Sequence, residues 1–399
     1  MRKTTILTIG ICVLLGGCNT GPPQKEARQL AEKRFSHQKA KIKYLLAFEQ
    51  FQNGQTDKAR DSVSEAIGLY SEEPAYFLLL AKVYLEAGEL SKAREVLYHI
   101  ANSESPTAEY SYLSGLVAER YGGLDQALDF YREAHELAPR KTVYLMAYGE
   151  TLISLDHPQE VLYLIEDHVQ RADNHARLWV LEGEALNMLG RYEEAALAYR
   201  RALVEFQDDR SLLESYAMAL FRARRYADAL IPLESLRTEL EDQTPLHALE
   251  ALARCCLETE DYARGATYLW EVTRRDPGDA GAWRMLTQCS LAVDNLSAAK
   301  LAAERAVALS PDQPGAHTML GFVLVKLRDW VEARRVLAAA YEADSNDVLA
   351  LCLLGHVLET TGSPRRAVQY YERALQADPD DALAQHFYAH LRNGAGPRS

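Results

Sequence analysis

The 399-residue sequence is poor in cysteine, with six in all, and none falls at a zinc-ligand or C-x-x-C spacing. Its 22 Gly and 14 Pro follow no collagen-like period, which removes fibrous readings. A basic excess is missing: 44 Lys+Arg stand against 57 Asp+Glu, giving a net charge of −13. Nucleic acid is therefore not an expected partner, since phosphate binding needs a basic footprint. The apolar run at residues 6–15 is shorter than the roughly 20 residues a membrane-spanning helix needs. Catalytic signatures are also missing. There is no G-x-x-x-x-G-K-[ST] phosphate loop and no G-x-S-x-G elbow. His135-Glu136 begins like a zinc-protease helix, but no second His follows and Pro139 ends the helix. His168 and His356 read as satisfied helix residues, not ligands. No metal, no cofactor and no enzymatic activity are expected. Apolar residues reach 48% and are evenly spread, which excludes disorder over most of the length.

What is present is a period of 34 residues. Copies starting at 40, 74, 108, 142, 176, 210, 246, 280, 314 and 348 align without gaps, except for two extra residues between the sixth and seventh. Position 8 is Gly or Ala in nine of ten copies, Thr287 being the exception, so two helices are expected to approach closely there. Position 20, expected to face the same contact, is Ala in eight, with Val161 and Gly265 differing. Position 27 is Ala in six, and Pro139, Pro277, Pro311 and Pro379 stop the second helix. The copy at 142–175 departs most from the pattern. The two-residue insertion near Asp242–Thr244 is the expected place for any hinge. Cys255, Cys256, Cys289 and Cys352 lie in apolar helical stretches and are expected to be buried, reduced thiols.

Small residue, Ala, aromatic, Ala and Pro at these offsets resemble the tetratricopeptide repeat family. The resemblance covers residues 40–381 and implies an all-α, right-handed solenoid of ten helix-turn-helix repeats. Residues 25–39 are expected to form a charged lead helix. Residues 382–399 are expected to supply a capping helix, through Phe387, Tyr388 and Leu391, and a frayed tail.

At the N-terminus, Arg2 and Lys3 precede the apolar run, which ends Leu15-Gly16-Gly17-Cys18. This resembles a bacterial lipobox. It implies that residues 1–17 are a signal peptide, that Cys18 carries acyl chains, and that 18–24 form the tether. Several acyl chains give a stable anchor. Asn19, where an Asp would favour retention at the inner membrane, leans toward an outer membrane facing the periplasm.

The repeat resemblance also implies that the first helix of each repeat lines a groove through positions 2, 5, 9, 12 and 13. In repeats 2–4 the lining includes Lys82, Tyr112, Arg120, Met146 and Glu150. In repeats 5–9 it includes Asn187, Met188, Met218, Phe221, Arg222, Arg254, Arg284, Gln288, Phe322 and Lys326, along with Arg177 and His247. Glu184, Glu214, Glu250 and Glu258 are interspersed. Arginines can clamp carboxylates, and exposed Met and Phe give adaptable apolar contact. The expected ligand is an extended peptide or helix with acidic and apolar groups. Neutralisation of each Arg by a neighbouring Glu is the competing expectation. Together these readings point to a membrane-anchored scaffold holding protein partners in the cell envelope. An assembly factor for a pilus, secretion or polysaccharide-export machine is the first expectation. An adaptor for an envelope protease or cell-wall hydrolase is the alternative.

Overall fold

The fold is set by one turn repeated ten times. Position 15 of every repeat has a positive φ, between 56° and 85°. Position 16 then donates its N–H to the carbonyl of position 11, at 2.7–3.0 Å in all ten repeats. This Schellman closure ends the first helix and lets the second start at once. Five repeats place Gly at position 15, and the other five place Asp156, Arg224, Glu260, Asp294 and Arg328. A side chain in the left-handed region is strained. Replacing Glu260 with Gly is expected to stabilise the fold by about 0.5–1 kcal/mol. Gly88→Ala, where a Cβ meets open space, is expected to cost about 1 kcal/mol. Urea midpoints of the two variants check both signs.

The computed structural model describes residues 24–101, 107–170 and 176–394. Among them are twenty-one α-helices and one short 3₁₀ turn. The chain divides into two compact units, 1–157 and 158–399. The first holds α1 (Gln24–Gln52), α2 (Thr56–Leu69), α3 (Pro74–Glu86), α4 (Leu90–Ala101), α5 (Ala108–Arg120), α6 (Leu124–Leu137) and α7 (Thr142–Ser154). The second opens with α8 (Pro158–Gln170), α9 (Ala176–Met188), α10 (Tyr192–Ala202), α11 (Arg210–Arg222) and α12 (Tyr226–Leu240). It continues with α13 (Leu246–Glu258), α14 (Tyr262–Arg275), α15 (Ala280–Ala292), α16 (Leu296–Leu309), α17 (Pro314–Lys326) and α18 (Trp330–Ala343). It closes with α19 (Val348–Thr360), α20 (Pro364–Ala377) and α21 (Ala382–Gly394).

From α3 onward the first helix of each repeat, helix A, starts at position 1, and helix B starts at position 17 in all ten. Each unit is thus an α-solenoid in which a helix pair covers the apolar face of its neighbour. The boundary between units falls inside the divergent repeat at 142–175, and both its helices keep the register.

Three features depart from the expectations. The lead segment is not a separate helix: α1 runs unbroken from Gln24 to Gln52, because no Pro, Gly or cap interrupts it at residue 40. Position 8 packs chiefly against position 24, not position 20. A Cβ on Gly115, Gly183 or Gly355 would lie about 2.5 Å from a ring carbon of Tyr131, Tyr199 or Tyr371. Position 20 also borders it, as Gly265 does beside Cys256 and the carbonyl of Ala253, the position 8 residue of its repeat. Finally, the insertion is no loose joint. Arg275 of α14 donates to the carbonyls of Thr244 and Asp242 at 2.5 and 2.8 Å, and Thr244 is buried.

The four described cysteines are buried and free. Burial pushes the Cys255 and Cys352 thiols up to about 12 and those of Cys256 and Cys289 up to about 11. At the C-terminal end Phe387 of α21 stacks on Tyr371 and His356, at ring distances of 5.5 and 5.3 Å, and covers the last repeat. Leu391 is buried with it, and the Tyr388 hydroxyl donates to Glu372.

Candidate functional site

Helices A of successive repeats are neighbours in the second unit: α11 lies against α13, α13 against α15, α15 against α17, and α17 against α19. Equivalent positions therefore line up along one face. Side chains confirm the adjacency. Arg222 at the end of α11 reaches back 35 residues, and its Nη1 donates to Asn187 Oδ1 at 2.9 Å. Its guanidinium also lies over the Tyr192 ring, 5.9 Å from the centroid. His247 of α13 meets Glu214 of α11.

The ten groove residues fall into two groups. Met188, Arg222, Arg254, Arg284, Gln288 and Lys326 are exposed. Asn187, Met218, Phe221 and Phe322 are half-buried. Met218 and Phe221 lean on the central core of the unit, and Phe322 leans on the core of its C-terminal part. Most of the apolar contact expected for a ligand is thus already committed to the fold, and Met188 at 42% exposure is the apolar member that is free.

The cations differ in what holds them. Arg254 pairs with Glu258 on its own helix at 2.9 Å, so the competing expectation holds there. Arg222 and Arg284 are held by amide side chains, Asn187 and Gln313, the latter at 3.3 Å. Amides orient a guanidinium without neutralising it. Lys326 sits over Phe322, 5.6 Å from the ring centroid. The same face carries acids: burial, with Asp279 nearby, raises the Glu250 carboxyl above its ordinary range. In the first unit, Arg120 donates to the Leu85 carbonyl at 2.7 Å and Lys82 pairs with Glu109, so these two expected groove cations are engaged. Cys18 lies outside the described residues.

Two further features escaped the sequence reading. A crevice of about 750 Å³ runs between α18 and α20, floored by Leu354 and Leu358 of α19. Arg334, Arg335, Arg366 and Arg373 line it, against Glu332 alone. Arg335 is taken by Glu332, and Arg373 reaches the Tyr341 hydroxyl. Among the described residues Arg334 and Arg366 make no ion pair. The other feature is Glu182, which lines a cavity of about 380 Å³ with Arg191, Glu194 and Arg201. Its Oε2 is buried and has no hydrogen-bond partner. Burial raises its pKa, and Arg201 only partly offsets this.

A raised carboxyl pKa favours the folded state at low pH and costs stability as pH climbs through it. Glu182→Gln is accordingly expected to raise the melting temperature at pH 7. The gain should shrink as pH falls toward 4.5, and melting curves across that range check the slope.

Among the described residues, no helix is long and apolar enough to cross a membrane. Residues 44–106, 164–211, 189–243 and 318–382, together just over half of the chain, match the family model described as Tetratricopeptide repeat. The chain is similar to Protein CTR9 homolog of Arabidopsis thaliana, 24% identical over 339 residues, which cover 78% of this chain and 30% of that protein. It is also similar to Protein O-mannosyl-transferase TMTC1 of Homo sapiens, 25% identical over 197 residues, covering 48% and 22%. The chain thus spans less than a third of either relative. Among solved structures it is similar to a tetratricopeptide repeat protein from Parabacteroides merdae. The TM-score is 0.44 and the identity 16%, over 63% of this chain and 99% of that one. Ten helix pairs closed by the same turn, and a family match reaching from residue 44 to residue 382, make this chain a member of the tetratricopeptide repeat family, a scaffold for protein–protein interaction.

Proposed function

We propose that the chain is a lipid-anchored scaffold of a bacterial cell envelope, acting by binding and not by catalysis. It holds an extended partner segment with acidic and apolar groups along the A-helix face of repeats 5–9. The observation that carries the reading is the state of Arg222 and Arg284. Both are exposed, both are oriented by neutral amides, and among the described residues neither makes an ion pair with a carboxylate, in contrast to Arg254. The n-region and Leu15-Gly16-Gly17-Cys18 support the anchor. An outer-membrane position facing the periplasm and a role in assembling an envelope machine belong to the same proposal.

The adaptor reading has one observation in its favour. The arginine crevice between α18 and α20 is a second cationic surface, built from B helices, and an adaptor needs two.

The test is recovery of partners from detergent-solubilised envelopes. Arg222→Glu with Arg284→Glu is expected to abolish capture of the main partner while the protein stays folded and membrane-bound. Cys18→Ser is expected to release it from the membrane fraction. Unchanged capture by the double variant would refute the groove, and unchanged fractionation of Cys18→Ser would refute the anchor.

A further inference from the structure

Helix α1 is apolar on two faces. One joins the first unit: Ala40 and Ala47 are fully buried, with Tyr44 and Phe51 packed beside them. The other meets solvent. Phe35, Ile42 and Leu46 are 71%, 67% and 41% exposed, and Leu45 beside them is 55% exposed. Steps of seven and four residues put the first three on one stripe, turned away from Ala40 and Ala47. A contiguous exposed apolar stripe of this kind marks a contact surface.

The charge around the stripe has a sign. Over α1 as a whole seven Lys or Arg stand against three Glu, of which Glu49 lies at the C-terminal end of the stripe, in a chain of net charge −13. Lys33, Lys43 and Arg28 are engaged by Glu72, Glu65 and Glu32. Arg34, Lys39 and Lys41 are exposed, flank the stripe on both sides, and make no ion pair among the described residues. The helix is also fixed in place. Lys33 bonds Glu72 at 2.8 Å, and His37 meets the Tyr70 ring edge-on at 4.3 Å.

We propose that this face of α1 lies on an anionic phospholipid surface, with Phe35, Ile42 and Leu46 inserted among the headgroups and Arg34, Lys39 and Lys41 at the phosphates. An apolar stripe bordered by cations whose long stems can lie along it is the chemistry of an interfacial helix. A second copy of the chain fits less well, because a two-fold contact through this stripe would bring like charges together. The inference rests on the acylated-Cys18 reading. Five residues lie between Cys18 and Gln24, and the six steps from one to the other span at most about 20 Å, so an anchor would hold α1 at the headgroups. The surface contact would then fix the orientation of the first unit on the membrane.

The test uses the full acylated protein in vesicles of phosphatidylethanolamine and phosphatidylglycerol. A nitroxide is placed at Ile42→Cys, and at Tyr163→Cys, 83% exposed on α8, as a control. The buried native cysteines stay unlabelled. The label at 42 is expected to be accessible to oxygen and shielded from aqueous nickel chelate, while the label at 163 stays in water. Arg34→Glu, Lys39→Glu and Lys41→Glu together should weaken the contact about tenfold or more. A water-exposed label at 42 on vesicle-bound protein overturns the inference and leaves the anchor standing. Failure to bind vesicles at all overturns both. Spin–spin broadening at 42 without vesicles assigns the stripe to a second copy and overturns the lipid reading.

Discussion

Gly183→Ala is expected to destabilise the second unit by about 2–3 kcal/mol, a large cost for one methyl group. The new Cβ would sit 2.5, 2.6 and 2.9 Å from three carbons of the Tyr199 ring, and Tyr199 is itself held in the unit's core. Neither partner can retreat without moving a helix, since helices A and B touch along this line. The repeats themselves suggest the remedy. Where position 8 is Gly, position 24 is Tyr in three copies: Gly115 with Tyr131, Gly183 with Tyr199, and Gly355 with Tyr371. Where position 8 is Ala, position 24 is Val or Leu, as in Ala81 with Leu97 and Ala217 with Leu233. Thr287, the largest residue at position 8, stands with Ala303, the smallest at position 24. Eight of the ten pairs thus trade volume between the two positions, Gly149 with Ile165 and Gly321 with Leu337 being the exceptions. Adding Tyr199→Leu to Gly183→Ala is therefore expected to recover about 2 kcal/mol relative to the sum of the single costs. Chemical denaturation of the four-member cycle measures the coupling, and additive costs would contradict this account of the interface.

Arg275→Ala should cost about 3 kcal/mol, an effect as large as that of Gly183→Ala. One guanidinium satisfies the Thr244 and Asp242 carbonyls and pairs with Glu271. Glu271 also accepts from Arg237 at 3.0 Å, and its side chain is only 13% exposed. Removing the fork leaves a buried carbonyl without its donor and a buried carboxylate with one partner instead of two. Arg275→Lys keeps the charge but not the fork, so it should rescue less than half of the loss. Loss of the clamp should also open 241–244 to proteolysis, which limited digestion followed by mass spectrometry reads directly. A cost of about 0.5 kcal/mol or less, with no new cleavage, would return the insertion to the status of a loose joint.

These two sites mark where the sequence was legible and where it was not. Helix starts could be read because each depends on a local signal repeated ten times, and a turn of fixed length leaves no freedom in the register. The strain at Arg224, Glu260 and Arg328 was hidden, because only the half of the repeats that use Gly at position 15 advertise it. The position 8 and position 24 pairing was present in the letters, but it appears only when the two columns are compared within each repeat. The fused α1 was missed because a repeat boundary was taken for a helix boundary, and nothing in residues 36–44 breaks a helix. Clamping by Arg275 and the arginine crevice both depend on residues about 30 apart meeting across repeats, which no local pattern encodes. Of the groove, sequence register placed the residues on the right helices. It could not tell that Arg254 would be paired within its own turn while Arg222 and Arg284 would be held by amides.

The central claim is that the A-helix face of repeats 5–9 is the working surface. The most direct test is photo-crosslinking in living cells from a benzophenone at Gln288, exposed on α15 between Arg254 and Lys326 in sequence. A second probe at Tyr163, exposed on a B helix, controls for collision. The account predicts one dominant envelope adduct from position 288, lost in Arg222→Glu with Arg284→Glu, and none from position 163. Equal capture from both positions, or capture from 163 alone, would contradict it.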